Sequence, residues 1–183
     1  TWGSGSKNVV CLHGFQDHGA SYHRFATNLC RLDPDRRVIA VDFRGHGHSG
    51  WVGDGGYYHF YDYFHDLRCL FDHLELSQVD LLGHSMGGSV ATGFASSFTD
   101  RVQGLLLLEG FGPPFTEAVE MPSRIARWSD ACGRANIAGG VADRRAARPA
   151  MDSKAAAADR LMRVNPRLSQ DIADELAESF TEV

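Results

Sequence analysis

The order of apolar segments predicts an α/β fold with a parallel sheet, and three observations carry that reading. Residues 8–12, 37–41, 79–82 and 104–108 form four short runs that are apolar without alternation, as strands buried on both faces are. Each interval between them holds a segment long enough for a helix, and strand, helix, strand in repetition implies parallel pairing through right-handed crossovers. The third run leads directly into Gly83-His84-Ser85-Met86-Gly87, a spacing suited to a strand that turns sharply into a helix.

The elements follow in chain order. The first run ends at His13-Gly14-Phe15, and residues 21–32 supply the first helix. The second ends at Asp42-Phe43-Arg44-Gly45-His46-Gly47, and a helix over 60–76 follows a glycine-rich loop. The third is followed by a helix over 87–98. The fourth, with Leu105-Leu106-Leu107-Leu108, would also suit a buried helix, but its length and the cluster Gly110, Gly112, Pro113 and Pro114 favour a strand. If the second strand lies on one side of the first, and the third and fourth on the other, a crevice opens between the first and third. Ligands of open α/β sheets bind at such a point, beyond the carboxyl ends of the strands. The loops at 13–15 and 83–87 would then face each other.

Beyond Pro114 the composition shifts to Ala, Arg and Asp, and helices are expected near 123–132, 153–164 and 169–180. The last carries Ile172, Leu176 and Phe180 four apart, with Ser169 as N-cap and Asp171 in the first turn. Residues 139–151, rich in Ala and Arg, read as a loop. The expected organisation is a partial α/β core over 1–112 and a helical lid or cap over 113–183.

Composition narrows the function. Of 183 residues 43% are hydrophobic, enough for a globular core. Eighteen basic against 23 acidic side chains give a formal charge of −5, which argues against a phosphate-binding surface, so no nucleic-acid partner is expected. No apolar stretch approaches the roughly 18 residues of a membrane span, and no membrane partner is expected. The four cysteines are scattered without a C-x-x-C pair, which reads as reduced thiols of a cytoplasmic protein. The oligomeric state is not legible.

The chemistry centres on Ser85. A serine at the tip of a strand-to-helix turn projects its Oγ from the top of the sheet, and glycines two positions either side let the turn close. Other patterns are decoys. His13, Asp17 and His18 approach an H-x-H-x-D-H metal pattern, but Phe15 occupies the middle ligand position, and no metal is expected. Gly45, Gly47 and Gly50 match G-x-G-x-x-G by spacing, but residues 51–58 read as loop, so no helix N-terminus receives a pyrophosphate and no cofactor is expected. Asp42, Arg44 and His46 are expected to pin the second strand's exit loop, and His84 to be a packed neighbour of the turn. Residues Tyr57, Tyr58, Phe60, Tyr61, Tyr63 and Phe64 form an aromatic cluster suited to core packing and lid docking.

Taken together, His13-Gly14-Phe15, Asp42-Phe43-Arg44-Gly45-His46-Gly47 and Gly83-His84-Ser85-Met86-Gly87-Gly88, in this order on these strands, resemble the α/β-hydrolase superfamily. The run Glu109-Gly110-Phe111-Gly112-Pro113-Pro114 is similar to that of a bacterial branch related to lidded esterases and haloalkane dehalogenases. The resemblance implies a serine hydrolase acting on a small acyl compound, with Ser85 as nucleophile and the backbone N–H groups of Phe15 and Met86 as the oxyanion hole. It makes Glu109, at the end of the fourth strand, a candidate acid. Dehalogenases carry a carboxylate in place of the serine, so dehalogenation is disfavoured. In this family the base is a histidine late in the chain, yet all nine histidines lie at or before position 84. The expectation is therefore a fragment, lacking strands at both ends, whose base lies beyond residue 183, and which is poorly soluble and inactive alone. The alternatives are a catalytically silent ligand-binding homologue, or a C–C hydrolase or acyltransferase on the same fold.

Overall fold

The computed structural model describes residues 1–53, 56–112, 117–137 and 153–181. In chain order the elements are β1 (Lys7–Leu12), α1 (His23–Leu32), β2 (Arg36–Val41), α2 (Phe60–His73), β3 (Val79–His84), α3 (Met86–Ser97) and β4 (Val102–Leu108), then α4 (Met121–Ile137), α5 (Lys154–Val164) and α6 (Gln170–Thr181). The strands form one sheet in the order β2-β1-β3-β4, parallel throughout. This is the order that opens a crevice between β1 and β3. The chain forms two compact units, Thr1–Ala142 and Asp143–Val183.

Successive strand residues point to opposite faces, so β1 feeds two cores. Val10 and Leu12 join Ile39, Leu67, Leu81 and Phe94 under α2 and α3. Val9 and Cys11 join Tyr22, Ala26, Val38 and Leu82 under α1. Helix α2 turns Tyr63, Leu67 and Phe71 inward at intervals of four, and the Phe71 and Phe94 rings meet at 5.0 Å, both fully buried. Truncating either to alanine would cost about 3–5 kcal/mol. Helix α2 ends at His73, not at residue 76, because Glu75 adopts φ 53°. That left-handed residue returns the chain so that Leu76 N–H bonds to the Phe71 carbonyl at 2.8 Å and its side chain is buried.

The sheet edges differ from the sequence expectation of strands covered on both faces. Among the described residues β4 pairs only with β3, and Leu105, Leu106 and Leu108 remain 42–53% exposed. At the opposite edge Trp2 makes an antiparallel bridge to Val38, with both N–H···O contacts at 2.9 Å. Its indole N–H donates to His23 Nδ1 at 3.1 Å. These contacts bind Trp2 to β2 and α1.

In the second unit, Ser153 caps α5 by accepting from Ala156 N–H at 3.1 Å. Its core is small: Ala157 and Ala158 of α5 meet Ala173 and Ala177 of α6. Ile172 and Leu176, expected to form the buried stripe, are only half-buried, because alanines one position on allow the helix backbones to approach more closely. The Phe180 side chain, Pro113, Pro114 and the stretch 139–151 lie outside the described residues.

Candidate active site

The segment from β3 to α3 turns within one residue. Ser85 adopts φ 50° and ψ −113°, a conformation that costs a non-glycine residue about 1–3 kcal/mol and persists only where its surroundings enforce it. They do so from three sides. Ser85 N–H donates to the Leu108 carbonyl of β4 at 3.1 Å, and its carbonyl accepts from Ser89 N–H in the first turn of α3. A Cβ at Gly83 would lie 2.4 Å from the Gly87 carbonyl oxygen, and one at Gly87 would lie 2.2 Å from that of Leu12. Both positions therefore exclude any side chain. Ser85 itself is exposed, so the strained backbone presents its hydroxyl outward.

The loop leaving β1 reaches the same point. A Cβ built on Gly14 would stand 2.9 Å from His84 Nδ1 and 3.4 Å from Ser85 Cβ. The sheet order thus brings the His13-Gly14-Phe15 loop against Ser85, and the His84 ring packs on Gly14. Phe15 N–H and Met86 N–H have no hydrogen-bond partner among the described residues. The Met86 group is one of the donors that the start of every helix leaves free. The Phe15 ring is 65% exposed at the rim.

Glu109 is exposed at the end of β4 with φ 61°. It follows Leu108, whose carbonyl holds Ser85, and its own carbonyl faces the place a Gly88 Cβ would occupy. With Gln16 at φ 65°, the loops after β1, β3 and β4 each hold one non-glycine residue in the left-handed region among the described residues.

The side chains around this point are fixed by backbone groups. His13 is fully buried. Its Nδ1 lies 2.7 Å from the Gly14 carbonyl and its Nε2 accepts from Phe43 N–H at 3.1 Å. An acceptor at Nε2 requires Nδ1 to carry the proton, so the ring is neutral. Burial is the main cause that lowers its pKa, opposed by the Gly14 bond and by Asp17 and Asp42, and reinforced by His46. His18, also buried, accepts from Ala20 N–H through Nδ1, and burial lowers its pKa too. Asp17 accepts from His18 N–H and the Ser21 hydroxyl. These three residues of the near-metal pattern spend the named atoms on their own loop and, through His13 Nε2, on the β2 exit loop.

Asp42 joins two loops, accepting from Gly19 N–H at 2.6 Å and His48 N–H at 2.9 Å. Arg44 grips Asp66 with two hydrogen bonds and Asp62 at 3.0 Å, tying the β2 exit loop to α2. The His46 ring stands 5.1 Å from His13 and 5.9 Å from Phe15. The described residues between Gly50 and Phe60 are not helical, and Gly45 N–H closes onto the Gly50 carbonyl. The aromatic cluster divides: Tyr63 is buried against Phe43, whereas Tyr57 and Tyr61 are exposed. A cavity of about 490 Å³ opens between this loop and α2, lined by Val41, Phe43, Trp51 and Leu70 among others. Ser85 does not line it.

In the sequence His13 is legible only as part of a motif. Its double backbone bond is invisible there, because it depends on how closely the β1 and β2 exits approach.

Comparison with known proteins agrees with this geometry. The family model described as alpha/beta hydrolase fold matches residues 7–145. A serine hydrolase-like protein of Danio rerio is 33% identical over 179 residues, covering 97% of this chain and 52% of the relative. A hypothetical protein of Pseudomonas aeruginosa PAO1 superposes with a TM-score of 0.78 at 30% identity, over 97% of this chain and 59% of the other. A thioesterase domain from the curacin biosynthetic pathway superposes with a TM-score of 0.74 at 26% identity, over 97% and 61%. This chain spans about half the length of the zebrafish relative. With the parallel sheet, the strained serine turn and the family match in agreement, the chain belongs to the alpha/beta hydrolase fold family.

Proposed function

We propose that this chain carries the nucleophile and oxyanion hole of a serine hydrolase that acts on a small carboxylic ester or related acyl compound. The observation that supports it most is the exposed Ser85, held at φ 50° and ψ −113° beside the β1 exit loop. Ser85 Oγ attacks the acyl carbonyl while its proton passes to a histidine base. The carbonyl oxygen, now negative, is received by Phe15 N–H and Met86 N–H. Collapse expels the leaving group with a proton from the base, and water releases the acid from the acyl-enzyme.

On this reading the base is a histidine placed late in the chain, as the family resemblance implies, and not one of the histidines beside Ser85. No histidine follows Ser85, His13 has both ring nitrogens engaged, and the His84 ring rests on Gly14. Glu109, projecting from the neighbouring strand end, is the candidate to hold that histidine's Nδ1–H. The names of the relatives, a serine hydrolase-like protein and a thioesterase domain, support an acyl substrate.

In the complete gene product, Ser85→Ala is expected to lower ester and thioester turnover ~10³-fold or more. Full retained turnover would remove the nucleophile. Glu109→Gln is expected to lower kcat by ~10²-fold or more, as wrongly tautomeric histidines do; wild-type kcat in that variant would place the acid elsewhere.

A further inference from the structure

The proposed oxyanion hole needs Phe15 N–H to point at the crevice, and nothing on Phe15 itself enforces that. Its ring is 65% exposed, and its N–H has no partner among the described residues. A peptide unit, however, is one rigid plane. In the trans form the carbonyl of one residue and the N–H of the next point in opposite directions. Whatever fixes the direction of the Gly14 carbonyl therefore fixes the direction of Phe15 N–H.

The Gly14 carbonyl is held twice on one side. It lies 2.7 Å from His13 Nδ1 and accepts from Asp17 N–H at 3.2 Å. The His13 ring cannot yield, being fully buried and anchored at its other nitrogen by Phe43 N–H at 3.1 Å. Phe43 lies in the β2 exit loop, which Asp42 and Arg44 fasten to neighbouring elements. The imidazole is thus a strut of fixed length from the β2 exit to the Gly14–Phe15 peptide.

We infer that His13 is a positioning residue which, by holding the Gly14 carbonyl through Nδ1–H, turns Phe15 N–H toward the oxyanion that forms at Ser85. The inference rests on the hydrolase reading above. It assigns the two ring nitrogens different tasks: Nδ1 aims the donor, and Nε2 anchors the ring.

Those tasks can be separated by side chain. Asparagine places an amide N–H where Nδ1 stands, one bond from Cγ, and keeps the bond to Gly14. Glutamine places its carbonyl oxygen where Nε2 stands, and keeps the bond to Phe43 only. In the complete gene product, His13→Gln is expected to lower kcat ~10–10²-fold with KM nearly unchanged, somewhat less than the ~10²–10³-fold cost of deleting an oxyanion donor outright. His13→Asn is expected to retain kcat within a few-fold. A purely structural role would move both variants alike. The inference is overturned if His13→Gln keeps wild-type kcat, or if His13→Asn loses as much as His13→Gln.

Should either variant fail to fold, the wild-type protein decides. Nitrogen NMR must show His13 as the Nδ1–H tautomer with a coupling from Nδ1 to the Gly14 carbonyl, and the Nε2–H tautomer would overturn the inference. Ser85→Ala is the control. If it is inactive while His13→Gln is fully active, only the positioning role falls. If Ser85→Ala is active, the hydrolase reading falls, and the role of His13 with it.

Discussion

Gly87 is where a single methyl group should damage both the fold and the site. A Cβ there would lie 2.2 Å from the Leu12 carbonyl oxygen, 2.5 Å from its carbon and 2.7 Å from the His13 carbonyl oxygen. All three are backbone atoms in or next to β1, so no rotamer change relieves them. Carbon and oxygen separate at roughly 3.3 Å in close protein contacts, so Gly87→Ala must open the gap between α3 and the end of β1 by about 1 Å. The gap lies between Ser85 and the loop bearing Phe15. Overpacking of this kind costs about 1–3 kcal/mol of stability, and a 1 Å misplacement of reacting groups costs ~10²-fold in rate. Urea unfolding of the chain is expected to shift to a lower midpoint with unchanged slope. Labelling of Ser85 by a fluorophosphonate in the complete gene product is expected to slow by about two orders of magnitude. Wild-type values for both would show that the packing of α3 on β1 does not set the turn. Loss of stability with normal labelling would show that the crevice tolerates the shift.

Two further outcomes follow from the loop network. Asp42 accepts from Gly19 N–H and His48 N–H through its two oxygens, so Asp42→Asn must point an amide donor at one of two N–H donors. It should destabilise by about 2 kcal/mol, nearly as much as Asp42→Ala, and full rescue by asparagine in urea unfolding would refute the double-acceptor role. His13 and His18 both have folded pKa values lowered by burial. The unfolded chain therefore binds more protons than the native one once pH falls below about 6.5. The stability from keeping both rings neutral is complete above that pH and is lost progressively below it, by up to about 1.4 kcal/mol per pH unit for each histidine. Unfolding midpoints between pH 7.5 and 5.5 should fall accordingly; a flat profile would show that the rings are not held neutral.

Much of this architecture was legible because it rests on local patterns. The unalternating runs that became β1, β2 and β3 report burial on two faces, and Gly83 and Gly87 report a turn too tight for side chains. The strand order enters the sequence reading only as the condition for a crevice between β1 and β3, and the sheet order β2-β1-β3-β4 meets that condition. Other features depend on chain segments meeting in space. The bridge from Trp2 to Val38 and the indole bond to His23 have no signature in residues 1–3. β4 takes the edge position expected of the fourth run, but its leucines are half-exposed where an unalternating run implies cover on both faces. In α6 the spacing of Ile172 and Leu176 suggested the buried stripe, yet the alanines beside them are the residues that pack. Hydrophobic spacing locates a helical face only to within one position when both neighbours are apolar, and close helix approach selects the smaller residue.

The site shows why residue identity alone could not rank its histidines. His84 adjoins Ser85 in sequence, whereas His13 is 72 positions away by numbering (85 − 13). Yet His84 packs on Gly14, while His13 fixes the peptide of that loop. The difference comes from topology. β1 and β3 are neighbours in the sheet, so the residue just past β1 reaches the crevice from the opposite wall. His84, the last residue of β3, stands in the same wall as the serine. A residue that must aim a group at Ser85 has to come from across the crevice, and the buried ring past β1 meets that condition with both nitrogens already committed. The strain at Gln16, Ser85 and Glu109 has the same origin. Three parallel strands end at one edge, and each exit loop must turn within a few residues to keep its backbone against the next.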